Sequence, residues 1–134
     1  MIDVKIFEEA LAGVKELTGV RRIAAEKALP CPFAVVRSAS IKEIQALDGG
    51  TGMWNVTMAL LLAADNCGQL ADVSARCANA LRSAEGTVRD GVWYGCVEVS
   101  MVEPELVEES ILKFTRCLTV TAIAEVRSDG SADL

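Results

Sequence analysis

Histidine is absent from this chain of 134 residues. Imidazole is the commonest general base and metal ligand near neutral pH, so Ser-His and Cys-His nucleophile pairs are excluded. Paired carboxylates can also carry acid–base chemistry, but no acidic residue stands in an apolar run that would raise the pKa of a general acid. The sequence therefore predicts a protein that is not an enzyme and that binds no cofactor or metal.

Cysteines are few, odd in number and free of any C-x-x-C pair, which argues against a disulfide framework and against a zinc site. Each stands beside apolar neighbours, where reduced cysteine acts as a small core residue. We therefore expect reduced, buried thiols at all five positions, which are Cys31, Cys67, Cys77, Cys96 and Cys117.

Long apolar runs are missing as well. The densest one, Met58 to Ala64, is far shorter than the roughly 20 residues of a membrane span. The first five residues have neither the basic start nor the apolar block of a secretory signal, so we expect folding in the cytosol. A net charge of −6 argues against a protein that grips nucleic acid phosphates.

The hydrophobic residues that are present, 51% of the chain, suffice for the core of one domain spanning residues 1–134, with residues 128–134 as a flexible polar tail. Apolar residues at helical spacing predict a helix from Asp3 to Thr18, capped by Asp3 and ended by Gly19. A second helix is predicted from Asn66 to Ala84. The segment from Val20 to Leu29 fits either a helical turn or an extended strand.

Period-two patterns predict the strands. One begins after Pro32, a second covers Met53 to Ala64, and Val92 to Val126 forms a long antiparallel hairpin in which Trp93, Val97, Val99 and Met101 share one side. The glycine-rich segment from Asp48 to Gly52 is read as a turn or mobile loop. Together these elements predict the α+β class, with a mostly antiparallel sheet of about four strands packed with two main helices.

The strand from Met53 to Ala64 is apolar on both faces over half its length. A helix covers one side of such a sheet, so the second cover is either another part of this domain or a neighbouring subunit. Trp54 lies on this strand, and tryptophan on an alternating strand usually belongs to a core or an interface.

Two charged features have alternative interpretations. The carboxylates of Glu103, Glu105, Glu108 and Glu109 fit a solvated hairpin tip, or, repeated around a ring, a negative collar that keeps passing DNA from sticking. Arg116 interrupts the apolar face of the last strand. It can pair with a carboxylate across the sheet or across a subunit boundary.

The order and spacing of these elements resemble a known family, the tail terminator or tail completion proteins of long-tailed bacteriophages and prophages. The resemblance covers most of the chain. It rests on the N-terminal helix, the Pro-Phe-Ala-Val-Val strand at 32–36, the glycine-rich approach to the strand Trp54–Leu62, the helix Gln69–Arg82 and the final hairpin ending in Leu118-Thr119-Val120-Thr121.

The resemblance implies a virion protein, assembled in the host cytoplasm, that forms a hexameric ring at the head-proximal end of the tail tube. Such a ring stops tube polymerisation, contacts the tube protein and the head–tail connector, and lets DNA pass through its lumen without specific binding. A head-completion or neck connector ring, and a cytosolic α/β ligand-binding module, are the alternatives.

On this reading the sheet and the helix Gln69–Arg82 supply intersubunit contacts, while the loops Ile41 to Gly52 and Glu103 to Ser110 reach adjacent rings. The resulting candidate interface residues are Asp48, Trp54, Leu61, Leu70, Val73, Glu103, Glu105, Glu108, Glu109 and Arg116.

Overall fold

A seven-stranded, mostly antiparallel sheet carries two helices on one face in the computed structural model, which describes residues 2–17, 20–21, 32–47, 49–101, 105–108 and 112–126. The helices are α1 (Lys5–Ala12) and α2 (Cys67–Arg82). The strands are β1 (Val20–Arg21), β2 (Phe33–Ala46), β3 (Gly49–Ala64), β4 (Thr87–Arg89), β5 (Val92–Met101), β6 (Glu105–Glu108) and β7 (Leu112–Val126).

The strand order is β1-β2-β3-β7-β5-β4, with β6 paired to β7, and only β1 runs parallel to its neighbour. The predicted α+β class is confirmed. The antiparallel path β2-β3-β7-β5-β4 has five strands rather than about four, because β4 has three residues and is too short to show a period. The predicted tail at 128–134 lies outside the described residues.

Helix α2 begins where the sequence predicted it. The Oδ1 atom of Asn66 accepts the N–H of Gln69 at 2.7 Å, and the Oε1 atom of Gln69 accepts the N–H of Asp65 at 2.8 Å. Two N–H groups at the helix start, which have no partner inside a helix, are satisfied in this way.

Helix α1 is shorter than predicted, since it ends at Ala12 rather than at Thr18. Gly13 follows directly, and glycine is a poor helix former. The apolar period nevertheless continues, because Val14 remains buried after the helix has ended. The predicted cap at Asp3 was wrong: the N-cap is Val4, and no side chain caps the helix, although the carboxylate of Asp3 accepts the N–H of Lys5 at 2.9 Å just before it. The predicted end at Gly19 and the open segment Val20 to Leu29 lie mostly outside the described residues.

The hairpin of β2 and β3 is much longer than its hydrophobic pattern indicated. Strand β2 has 14 residues and β3 has 16, so the supposed loop over 41–52 is largely paired backbone, with Ala46 opposite Gly49. The glycines reach positive φ, +123° at Gly49 and +76° at Gly52, as glycine does readily. The loop prediction was wrong because a strand exposed on both faces has no apolar alternation.

The core lies between the helices and one face of the sheet. From β3 it takes Val56, Met58, Leu60 and Leu62, and β7 adds Leu118 and Val120, all of them 0% exposed. The ring of Tyr94 meets that of Phe7 edge-on, with centroids 6.4 Å apart, and its hydroxyl donates to the carbonyl of Asp3 at 3.3 Å. This contact ties α1 to β5, and burial raises the pKa of Tyr94.

A bulge in β5 changes which side chains face the core. The carboxylate of Glu85 accepts the N–H groups of Cys96 at 3.0 Å and Val97 at 2.8 Å, and Cys96 has a φ of +52°. Register shifts between Gly95 and Glu98, so Trp93 lies on the opposite face from Val99. The prediction that these two residues share one side was therefore wrong.

The cysteine prediction holds for one thiol. Cys77 is fully buried on α2, and desolvation raises its pKa to about 12. Cys67, Cys96 and Cys117 are exposed. Cys67 stands at the start of α2, before its buried residues. Cys96 lies in the bulge of β5, and Cys117 lies on the open side of β7. Cys31 lies outside the described residues. No described helix is long and apolar enough to cross a bilayer.

Candidate interaction surfaces

The sheet face opposite the helices is the first candidate surface, and we call it the open face. Its residues alternate along β3 and β7 with those that face the core. Some of them are apolar and others carry hydroxyl groups. Leu61 is half-buried there and lies between Val35 of β2 and Cys117 of β7. Other half-buried members are Met53, Thr57, Ala59, Thr119, Thr121 and Ile123. Strand β3 thus has apolar side chains on both faces, while both described helices pack on only one.

An aromatic ring covers part of this face. Trp93 lies over Gly95, whose missing side chain leaves the space that the indole occupies. A Cβ atom at position 95 would overlap that ring. Glycine at this position is therefore required by the close approach of the indole on the open face.

The second surface is the outer part of the β2–β3 hairpin, residues 37–47 and 49–55, which we call the arm. All its residues with described side chains are exposed or half-exposed, and Leu47 near its tip is fully exposed. Pairing with β7 starts only at Met53, so the tip projects past the sheet. The hydroxyl of Thr51 donates to the carbonyl of Ile44 at 2.8 Å and accepts the N–H of Met53 at 3.2 Å.

The structure separates the predicted interface residues. Leu70 is 0% exposed and Val73 is 1% exposed, both packed in the core of a single subunit. Their assignment to an intersubunit contact has to be corrected, because the apolar face of α2 is used by its own sheet. Leu61 is available on the open face. Trp54 is half-buried and packs against the edge of the core at the base of the arm.

Of the four acidic candidates, the structure describes two. Glu105 and Glu108 are residues of β6, paired with Thr115 and Leu112 of β7. Part of the predicted loop is therefore a strand. Glu103, Glu109 and the arm-tip residue Asp48 lie outside the described residues.

Arg116 is half-buried on the helix-covered face of β7, opposite Leu62 of β3. Its Nη1 atom lies 3.8 Å from the sulfur of Met101, and its Nε is buried without a hydrogen-bond partner among the described atoms. Among the residues whose side chains are described, which exclude those of β6, no carboxylate comes within ion-pair distance of it. A buried guanidinium nitrogen without an acceptor is costly, so a partner from elsewhere would stabilise it.

A groove between α1 and α2 is a candidate site for a small ligand. It is lined by Gly13, Glu16, Arg76 and Asn79, among others. Arg76 is already paired with Asp72 at 3.1 Å and Glu16 at 3.3 Å, and these carboxylates raise its pKa. The cation is thus neutralised in place and offers little to an anionic ligand. No cluster of metal-ligating side chains occurs among the described residues.

No protein-family model matches the chain, and no curated protein sequence matches it. The fold does have a solved counterpart in a chain of the structure titled "Virion of native gene transfer agent (GTA) particle". The two chains superpose with a TM-score of 0.53 at 13% identity, over 91% of this chain and 86% of the other. This likeness establishes a shared fold over nearly the whole length of both chains.

Proposed function

We propose that the chain is a structural subunit of a phage-like virion and that it forms the ring that closes the tail tube at its head-proximal end. The observation that carries the proposal is the fold, which follows a virion chain over 91% of this sequence. The order of elements that resembles tail terminator proteins supports the finer assignment. The lack of histidine and the neutralised groove fit a role made of contacts rather than catalysis.

The uncovered surfaces support assembly. A cyclic ring requires two different, complementary patches on each subunit. The fold offers a half-buried open face around Leu61 and an arm with a fully exposed leucine at position 47. On this proposal the homo-oligomer is a hexameric ring.

The two ends of the ring have different tasks. The arm reaches the tail tube protein, and the acidic segment containing Glu103, Glu105, Glu108 and Glu109 faces the head–tail connector or the lumen. Carboxylates repeated around a lumen repel DNA phosphates, so DNA passes without specific binding. Arg116 pairs with a carboxylate of a neighbouring chain, which would satisfy its buried Nε atom.

Electron microscopy of particles made without this protein tests the proposal. The expected result is tails of uncontrolled length that are not attached to heads, because nothing stops the tube. Tails of normal length beside unjoined heads would contradict the terminator role and favour a neck connector ring. Intact particles, together with a stable monomer that holds a metabolite, would favour the ligand-binding module instead.

A point variant makes the same test without removing the subunit. Leu47→Asp places a charge at the tip of the arm, where the fully exposed leucine makes no contribution to the core. We expect long tails from particles that carry it. Lys5→Glu, an exposed change on α1, is the matched control and should leave tail length unchanged. Normal tails with Leu47→Asp would remove the arm from the proposed contact.

A further inference from the structure

Two strand edges of the sheet have no pairing partner over part of their length among the described residues. Strand β1 covers β2 only opposite Ala34 and Val35, and β4 covers β5 only from Val92 to Tyr94. Beyond these short strands, the outer sides of residues 37–46 and of residues 97–101 have no strand partner among the described residues. We call them the β2 edge and the β5 edge.

Strand β6 continues the β5 edge. The segment of β7 that pairs with β6 also pairs with β3, through Phe114 and Thr115. Strand β6 must therefore lie on the other side of β7, which is the side of β5. The free edge on that side thus extends beyond Met101 along residues 105–108 and is comparable in length to the β2 edge.

An unpaired edge presents a row of N–H and C=O groups to another chain, and soluble proteins usually blunt it. Proline is one such device. The β2 edge contains none, and on the other side the sequence has Pro104 between β5 and β6, outside the segment 97–101. The β2 edge runs without a register break from Ser38 to Glu43, and the β5 edge from Glu98 to Met101. Both edges are therefore suited to strand addition, in which main-chain hydrogen bonds join two chains.

The strand directions allow one edge to receive the other. Because β2, β3, β7 and β5 alternate in direction, β2 runs antiparallel to β5. A copy placed beside the first by rotation about an axis along the strands keeps its strand directions. Its β2 edge then meets the β5 edge of the first copy in antiparallel orientation, which continues the pattern of the sheet.

The charges of the two edges are complementary. The β2 edge carries the exposed cations Arg37 and Lys42 beside the half-buried Glu43, whereas Glu98 is the only charged residue of the β5 edge. The sequence of β6 adds two further acidic residues and no basic one. By register Lys42 and Glu98 both lie on the open face, so a joined sheet would carry them on the same side. Pairing of two β5 edges would instead bring like charges together.

We propose that the β2 edge of one subunit pairs with the β5 edge of a second copy of this chain, so that assembly extends the sheet from subunit to subunit. The inference rests on the proposed ring and names the contact that builds it. Such a contact joins two different patches and can close into a ring.

Reciprocal charge reversal tests this contact in the full-length protein. Lys42→Glu makes the β2 edge acidic, and Glu98→Lys makes the β5 edge basic. Each variant alone should raise the protein concentration needed for ring formation at least about tenfold, because like charges then oppose each other across the contact. An equal mixture should restore rings in which the two variants alternate, because each altered edge then meets its complement.

Native mass spectrometry is the measurement. Each single variant should appear as a 14.2 kDa monomer, and the ring should reappear when the two variants are mixed. Circular dichroism and thermal unfolding show that each variant is folded. Lys5→Glu has the same charge change as Lys42→Glu but lies on α1, away from both edges, and should form rings as the wild type does.

Other outcomes overturn the contact in distinguishable ways. Rings of both single variants at wild-type concentration would exclude edge pairing and leave the terminator proposal standing. Loss with Glu98→Lys but not with Lys42→Glu would exclude Lys42 from the contact and overturn the pairing of the β2 edge with the β5 edge. Failure of the mixture, with both variants folded, would also exclude the contact. A wild-type chain that stays monomeric even on the tail tube would contradict the ring itself.

Discussion

The two faces of strand β3 differ although their side chains alternate along the same backbone. Leu60 points toward the helices and is 0% exposed, whereas its neighbour Leu61 lies half-buried on the open face. One face is buried against the helices of the same subunit, and the other carries apolar side chains that neither described helix covers. Hydrophobicity alone therefore does not distinguish the core of this chain from a surface that could contact another chain.

The largest effect on the free energy of unfolding is expected from shortening a side chain on the face that the helices cover. Leu60→Ala should lower the free energy of unfolding by roughly 2–5 kcal/mol, because it removes buried methyl groups and leaves a cavity. Leu61→Ala, the matched change on the adjacent residue, should cost less than about half as much in the monomer. Urea unfolding of both variants checks this. Equal losses would mean that the open face is as closed as the core.

A change at the buried thiol tests the covered face through pH. Burial raises the pKa of Cys77 to about 12, while the pKa of a thiol in the unfolded chain is about 8.5. Its contribution to stability is thus complete below pH ~8.5 and is lost as pH rises toward 12, at up to about 1.4 kcal/mol per pH unit. Urea unfolding between pH 8 and pH 11 measures this slope.

Cys77→Ala is the control, since its stability should depend less on pH over that range. The exposed thiols Cys67 and Cys117 should react at once with a thiol reagent in the folded protein, while Cys77 reacts only on unfolding. Fast reaction of Cys77 in the folded chain would contradict the tight packing of α2 on the sheet.

A smaller effect is expected at the start of α2, the helix that packs on the core face of the sheet. Asn66→Ala removes the acceptor of the 2.7 Å bond from the N–H of Gln69 and should cost about 1 kcal/mol. Thermal unfolding is the measurement. Asn66→Asp, which keeps an acceptor at this position, should retain most of the stability. Equal losses in the two variants would show that the cap does not act through this hydrogen bond.

The smallest effect on the isolated subunit is expected at the arm. Leu47→Ser changes a fully exposed side chain, so the free energy of unfolding should stay within about 0.5 kcal/mol of the wild type. Unfolding in urea would show a larger change if Leu47 were packed within the subunit. Sharp loss of stability would mean that the arm folds back on its own sheet.

The sequence predicted the covered half of the molecule well. Helix α2 and strand β7 have strong periods because each buries one face, and β3 was found from its apolar run; the side assignment along β5 failed at the bulge. Leu70 and Val73 were rightly seen as one apolar stripe, but the stripe packs on its own sheet rather than on a neighbour. A helical period reports that a face is buried and contains no information on which chain buries it.

The uncovered half was harder to predict for a related reason. The arm is held by backbone pairing, as between Ala46 and Gly49, and its side chains are exposed on both faces, so no period marks it. The bulge depends on a carboxylate from another element, Glu85, which no local pattern reveals. Leu61 was identified because its strand is apolar on both sides, which remains the sequence signal for the open face.

Hydrogen exchange in the free subunit and in the assembled particle tests the central claim most directly, namely that surface left uncovered by one chain is covered by others. Amides of residues 56–62 should be protected in both states. Within residues 37–46 and 98–101, the amides that point away from β3 and β7 should exchange quickly in the free subunit and become protected on assembly. Unchanged fast exchange of both edges in the assembled particle would contradict the account.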